Sequence, residues 1–318
     1  MLPMIARRLL ALLPLMLLVS LGVFMLTGLV PGDPAVTIAG GPDASPDRIA
    51  AVRESLNLDS PLIVRYAEWL GDAVRLDFGQ SLYGTTGGPS VVDDIVMRMP
   101  VTFSLALTAL CIALVIGLPL GTIAGMRAGT ALDRVSVAGT SLGIALPNFW
   151  IGLILIQLLA VKAGWFPAVG YTHFTESPSA WLKSLILPGM ALGLFAAASI
   201  ARQLRASLID VLQSNYVRTA WAKGGSPARV VGKHALKNAA MPTVTVIALQ
   251  LGTLLGGAVI IEQIFSLPGM GTYLITALLK QDIPAIQGVA LMFVLIYVVI
   301  NLAVDIVYGY INPKVRVS

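Results

Sequence analysis

NYVRTAWAKGGSPARVVGKHALKNAAMP, residues Asn215 to Pro242, separates two long apolar runs of a 318-residue chain, and the rest is read from it. From Ser214 to Asn238 it holds Arg218, Lys223, Arg229, Lys233 and Lys237 with no Asp or Glu. Lys and Arg collect in the cytoplasmic loops of membrane proteins, so this stretch is placed inside. Tyr216 to Lys223 has no helix breaker, Gly224-Gly225 offers the left-handed turn that ends a helix, and Ser226-Pro227 offers an N-cap and a first-turn proline. The spacing predicts a short helix, a glycine corner and a second short helix, followed at Pro242 by the next span.

Composition agrees with a membrane setting. The chain is 57% hydrophobic and 12% charged, where a soluble domain carries about 25% charged residues. Cys111 is the only cysteine and lies in an apolar run, so an intramolecular disulfide and a cysteine metal site are excluded. With His173 and His234 as the only histidines, an HExxH metal site is excluded too. The expected fold class is all-α and polytopic.

Outward from the loop, six apolar runs are each about long enough to span a bilayer: Leu9–Val30, Val101–Gly125, Val135–Val161, Trp181–Leu204, Thr243–Ile264 and Ile286–Tyr308. The first follows Arg7-Arg8 and is longer than a signal-peptide core. No small-x-small cleavage site follows it, so it reads as an uncleaved span. Both termini then lie inside. Residues 31–98 form an outer segment between the first span (1–30) and a five-span core (99–318) that contains the polar loop 214–241. In the outer segment, Ser45-Pro46 and Ser60-Pro61 each start a helix, Pro46 to Leu56 and Pro61 to Leu76. Ile63, Tyr66, Ala67, Leu70 and Val74 give the second one an apolar face. Leu76 to Gly84 reads as loop. Pro268-Gly269-Met270-Gly271 and the apolar Tyr273 to Leu279 read as an outer loop folding back toward the membrane.

This topology sorts the net charge of +5 by side: thirteen Lys or Arg and three Asp inside, eight cations and thirteen acids outside. The Lys/Arg excess inside is the sidedness that orients spans, and it removes nucleic acid as an expected partner. Arg202 and Arg205, at the inner end of the fourth span, are expected to snorkel to the interface.

Asn148, Gln157, Gln250 and Asn301 lie within spans. Such groups need partners that lipid does not supply, so they either line a pathway or bond across packed helices. Glu262 and Asp305, nearer span ends, are read as loop caps or anchors. Gly252-x-x-x-Gly256-Gly257 is read as a close-packing site, and Pro147 and Pro119 as kinks in continuous helices. The chain lacks GxxxxGK[ST], and Ser141 and Ser199 lack the partners of a nucleophile triad, so no enzyme is expected.

Arg218-Thr219-Ala220, three residues, then Gly224 resembles the E-A-A-x-x-x-G loop of binding-protein-dependent ABC importer permeases, in the YVRTA-x-AKG…HALxNAxxP form of the dipeptide/oligopeptide/nickel branch. Arg-Thr replaces Glu-Ala, and Pro242 lies further from Gly224 than in the general pattern; both departures are usual in the peptide branch. Asn57 to Leu62, Asp133-Arg134, Leu146-Pro147-Asn148-Phe149-Trp150, Gly269-Met270-Gly271 and Ile311 to Arg316 extend the resemblance over nearly the whole chain. The resemblance implies a type I importer permease fold in a bacterial or archaeal cell (inner) membrane. It implies a multi-pass subunit embedded in membrane lipid that forms half a pathway for peptides, nickel, glutathione or another small solute. The implied partners are a second homologous permease, two cytoplasmic ATPases that hold the ATP and Mg, and an extracytoplasmic substrate-binding protein. Tyr216, Val217, Arg218, Thr219, Ala220, Lys223, Gly224 and Gly225 would form the coupling helix and its corner. Asn148, Gln157, Gln250 and Asn301 are the possible pathway-lining residues. The rival from another class is a secondary transporter or channel, which would work without ATP.

Overall fold

A computed structural model describes residues 2–27, 34–41, 43–55, 59–82, 90–226 and 229–311. Pro227, Asn57-Leu58, Tyr83-Gly84, the tail Asn312 to Ser318 and the Asp305 side chain lie outside the described parts. The described residues are helical: α1 (Leu2–Thr27), α2 (Pro34–Ala39), α3 (Pro46–Ser55), α4 (Leu62–Val74), α5 (Val91–Met126), α6 (Ala131–Ala145), α7 (Asn148–Lys162), α8 (Pro178–Leu212), α9 (Asn215–Ala222), α10 (Val230–Ile264), α11 (Met270–Lys280) and α12 (Ile283–Ile311). Four of them, α5, α8, α10 and α12, are long and apolar enough to cross a membrane, and α6 with α7 makes a fifth if the bent pair is one span. The described apolar part of α1, Leu13–Met25, is shorter.

The third run is not the kinked continuous span the sequence predicts. Leu146 (φ −83°, ψ 133°) and Pro147 (φ −64°, ψ 136°) are both extended, and α6 and α7 meet at 103°. A proline pushes the residue before it out of the helical region and has no N–H to give, so two successive extended residues break the helix. The Pro147 carbonyl starts α7 by accepting from Trp150 N–H at 3.1 Å. α5, by contrast, runs through both Pro100 and Pro119 as one helix.

The chain divides into two compact units. The first, Pro100–Thr272 with Val299–Ser318, is built around α8, of whose apolar window 72% is buried. Leu185, Leu192 and Ile200 of α8 meet Leu105 of α5, Leu254 and Ile261 of α10, and Phe265 just after α10 in one core. Water expulsion does not drive helix association in lipid, so close packing of small residues carries it. α5 presents Ala109, Ala113, Gly117, Gly121 and Gly125, and α8 presents Gly189, Gly193, Ala197 and Ala201, each four residues apart. A Cβ at Gly121 would lie 2.6 Å from the Ala201 carbonyl oxygen, and one at Gly193 2.5 Å from that of Ala109. The contacts advance together along both helices, so α5 and α8 run parallel. Of Gly252-x-x-x-Gly256-Gly257, Gly256 has nothing within 4 Å, whereas a Cβ at Gly257 would lie 2.7 Å from Leu192 Cδ1 of α8, so the close approach on α10 is to a side chain at Gly257.

The second unit comprises Leu2–Met99 and Tyr273–Val298. Here α1 and α4 pack through Phe24, Tyr66 and Trp69, and the Ser20 and Tyr66 hydroxyls are 2.7 Å apart. Of the predicted apolar face of α4, Tyr66 is covered while Ile63 and Val74 are exposed. Pro61, not Ser60, occupies the N-cap position, without a side-chain cap. Phe78 is buried in the loop after α4, and Asp282 accepts from the Ser81 hydroxyl and from Leu82 N–H.

Candidate functional site

The helix predicted over Tyr216 to Lys223 is α9. It closes with a double turn: Gly225 N–H donates to the Ala220 carbonyl at 3.2 Å and Gly224 N–H to that of Trp221 at 2.9 Å. Gly224 has φ +76° with open space around it, the left-handed position that glycine adopts without a Cβ penalty. Gly225 is needed for a different reason, because a Cβ there would lie 2.7 Å from Val230 Cγ2 and 2.9 Å from the Ala220 oxygen. Only one glycine is left-handed; the other permits close approach.

Val217 is fully buried, while Arg218, Thr219 and Lys223 are exposed and Ala220 is half-buried. Tyr216 and Trp221 are exposed large aromatics. Asn238 Nδ2 donates to the Tyr216 hydroxyl at 2.8 Å and also to the His234 carbonyl, tying α9 to α10. Thr219 donates back to the Asn215 carbonyl, so its hydroxyl serves its own helix. Leu204 and Leu208 of α8 pack with Ala235 and Ala239 of α10 beneath. The second short helix expected before Pro242 is not separate. α10 begins with a π-helical segment, Val230–Ala235, and continues through Pro242 to Ile264. A basic helix that runs straight into a span has its backbone bonds already formed, and a wide π turn absorbs the register.

Of the polar residues within spans, the structure brings some together. A cleft of about 290 Å³ is lined by Ile144 to Asn148 at the α6–α7 break, with Leu192, Phe195, Thr253 and Leu254. Gly257 lies beside Asn148, where a Cβ would be 3.7 Å from the amide nitrogen. Gln250 is buried one turn from the cleft and accepts from the Thr253 hydroxyl at 2.9 Å. Gln157 is exposed on the π-helical end of α7, and neither it nor Asn301 lines the cleft.

Two charged groups are held by more than one hydrogen bond each. Glu262 is fully buried and does act as a cap, for α11: its carboxylate accepts from Gly271 N–H (2.8 Å), Thr272 N–H (3.1 Å) and the Thr102 hydroxyl (2.6 Å). Met270 N–H completes the end by donating to Thr102 Oγ1 at 2.9 Å. Gly269 and Gly271 leave room for that carboxylate, which a Cβ at either would meet within 2.9 Å. The Arg205 guanidinium grips Asp133 through Nε to Oδ1 and Nη2 to Oδ2, the latter at 2.8 Å. A partner 72 positions away carries no local sequence signal.

Comparison with known proteins agrees with this architecture. Residues 117–317 match the family described as "Binding-protein-dependent transport system inner membrane component", and residues 1–106 match its N-terminal membrane component. The chain is 39% identical over 313 residues, 98% of each protein, to a putative peptide transport system permease protein of Brucella abortus (strain 2308). It is 40% identical over 316 residues, 99% of each, to the glutathione transport system permease protein of Escherichia coli (strain K12). The solved structure of inward-facing conformations of the MetNI methionine ABC transporter is similar in fold, at a TM-score of 0.58 and 20% identity over 69% of this chain and 96% of that one. The broken span, the helix-paired core and the glycine-cornered basic helix are thus features of a polytopic membrane protein that belongs to the binding-protein-dependent transport system inner membrane components, the permease subunits of ABC importers.

Proposed function

We propose that this chain forms half of the translocation pathway of an ATP-driven peptide importer in a bacterial or archaeal inner membrane. It has six spans, α1 being the first and α6 with α7 the third, and both termini are cytoplasmic. It assembles with a second homologous permease, two cytoplasmic ATPases that bind ATP and Mg, and an extracytoplasmic substrate-binding protein. Tyr216, Arg218, Thr219 and Lys223 face a groove of the ATPase, Val217 and Ala220 seat the helix on its own subunit, and Gly224 and Gly225 set its angle. Asn148, with Gln250 behind it, belongs to the pathway; Gln157 and Asn301 are assigned to helix packing or interface contacts.

One observation carries this reading: α9 keeps a buried Val217 beneath exposed aromatic and basic side chains, and a left-handed Gly224 ends it. A β-branched residue at Gly224 strains that turn by about 1–2 kcal/mol. Gly224→Val is therefore expected to leave ATP hydrolysis running while uptake into proteoliposomes falls severalfold. Wild-type uptake by that variant would refute the assignment of α9. The relative named for glutathione favours a second reading, in which glutathione is the cargo. Titrating the partner binding protein with dipeptides, oligopeptides and glutathione separates the two.

A further inference from the structure

α8 ends at Leu212 and is joined to α9 by Gln213 and Ser214, with Ser214 N–H bonded to the Val211 carbonyl at 3.0 Å. A push on α9 is therefore passed to α10, to which Tyr216 and Asn238 tie it, as well as to that end of α8. About two turns before it, Arg205 grips Asp133 of α6 with both arms of its fork. Asp133 is 3% exposed, its Oδ2 also accepts from Gly129 N–H at 2.9 Å, and its backbone N–H is capped by Thr130 Oγ1. Both carboxylate oxygens are thus held, one by α8 alone and one by α8 and the turn before α6.

One face of α6 rests on α8, with Ser136 and Thr140 buried and Gly143 beside Ala198, while Leu132, Val135 and Val137 on the other face are exposed. The far end of α6 is the extended Leu146-Pro147 pair, and beyond that Asn148 and the cleft. The pair is partly buried, and an ion pair in such a setting is weak evidence for stability, because desolvation offsets the attraction of the charges. Its directional, bidentate geometry does hold two helices in register. The backbone beside it is held too, since the Arg205 carbonyl would lie 3.2 Å from a Cβ at Gly125 of α5.

We infer that the Asp133–Arg205 pair is the strut through which α8 moves α6, so that displacement of α9 reaches the α6–α7 break and the cleft beside it. Both are positioning residues, acting on the pathway through the helices they join. This rests on the importer reading and adds the route by which α9 acts.

The test uses the complete importer in proteoliposomes with Asp133→Asn, Arg205→Gln and the double variant, reading ATP hydrolysis, uptake and their ratio. Uptake per ATP is expected to fall about tenfold in each single variant, the size of coupling carried by such networks. The double variant should be no worse than the poorer single one. Arg205→Lys keeps the charge without the fork and should fall between wild type and Arg205→Gln. Should the Asn and Gln variants fail to assemble, Asp133→Glu and Arg205→Lys carry the same measurement. An unchanged uptake-to-ATP ratio, even with lowered thermal stability, overturns the inference, as does additivity of the two substitutions. No ATP-driven uptake by the unsubstituted assembly would sink the importer reading instead, and this inference with it.

Discussion

At the scale of single residues, the groups that matter most are buried charges with several partners. Glu262 meets two backbone N–H groups at the start of α11 and one hydroxyl. Glu262→Ala would leave these donors buried without an acceptor, at about 1–3 kcal/mol for each group so stranded. The variant is expected to unfold at clearly lower temperature than wild type in a detergent melt, with Glu262→Gln between them. Equal melting of Glu262→Ala and wild type would show the cap to be incidental. Ser266 is a smaller case: it sits at φ +51° after α10, where an L residue is strained. Ser266→Gly should therefore stabilise by about 1 kcal/mol. Glu262 as a cap was legible because a lone carboxylate at a span's end precedes Pro-Gly-Met-Gly. The Asp133–Arg205 pair was not, because each residue alone resembles an ordinary charge at the membrane interface.

At the scale of elements, α5 and α8 are held by backbone contact across small residues. Gly121→Ala puts a methyl 2.6 Å from the Ala201 oxygen, and since that atom is backbone the helices must separate. Loss of folded protein is expected, measured as yield of monodisperse subunit. Gly256→Ala meets nothing within 4 Å and gains helix propensity of about 1 kcal/mol, so the subunit should tolerate or prefer it. Both helices carry the four-residue spacing openly in the sequence, yet so does α10. Spacing states which face is small, whereas only the fold states whether another backbone arrives there. The break at Leu146-Pro147 is similar: proline marked the place, but the 103° turn needed Leu146 to be extended as well.

At the scale of the whole molecule, the proposed sidedness can be read with cysteine chemistry. Cys111 is the only native cysteine, so Cys111→Ser provides a background for single-cysteine variants. Lys223→Cys, in the exposed glycine corner, should react with a membrane-impermeant thiol reagent only from the cytoplasmic side. Glu176→Cys, between α7 and α8, should react only from the other. Reaction of both from one side would refute the topology, since α8 is the one candidate span between them in the chain.

By itself, the amino-acid order settled the membrane-embedded all-helical class, the place of the apolar runs, and the helix ended by Gly224, because these depend on hydropathy and backbone preferences within a few residues. Tertiary structure decided which small-residue stripe is a contact, that Arg205 is paired with Asp133, that Glu262 serves α11, and that Asn148 lines a cleft while Gln157 does not. Apart from the Glu262 bonds to α11, which span 9 and 10 positions, those are meetings between residues tens of positions or more apart. They follow from the packing of whole helices, which no local pattern encodes.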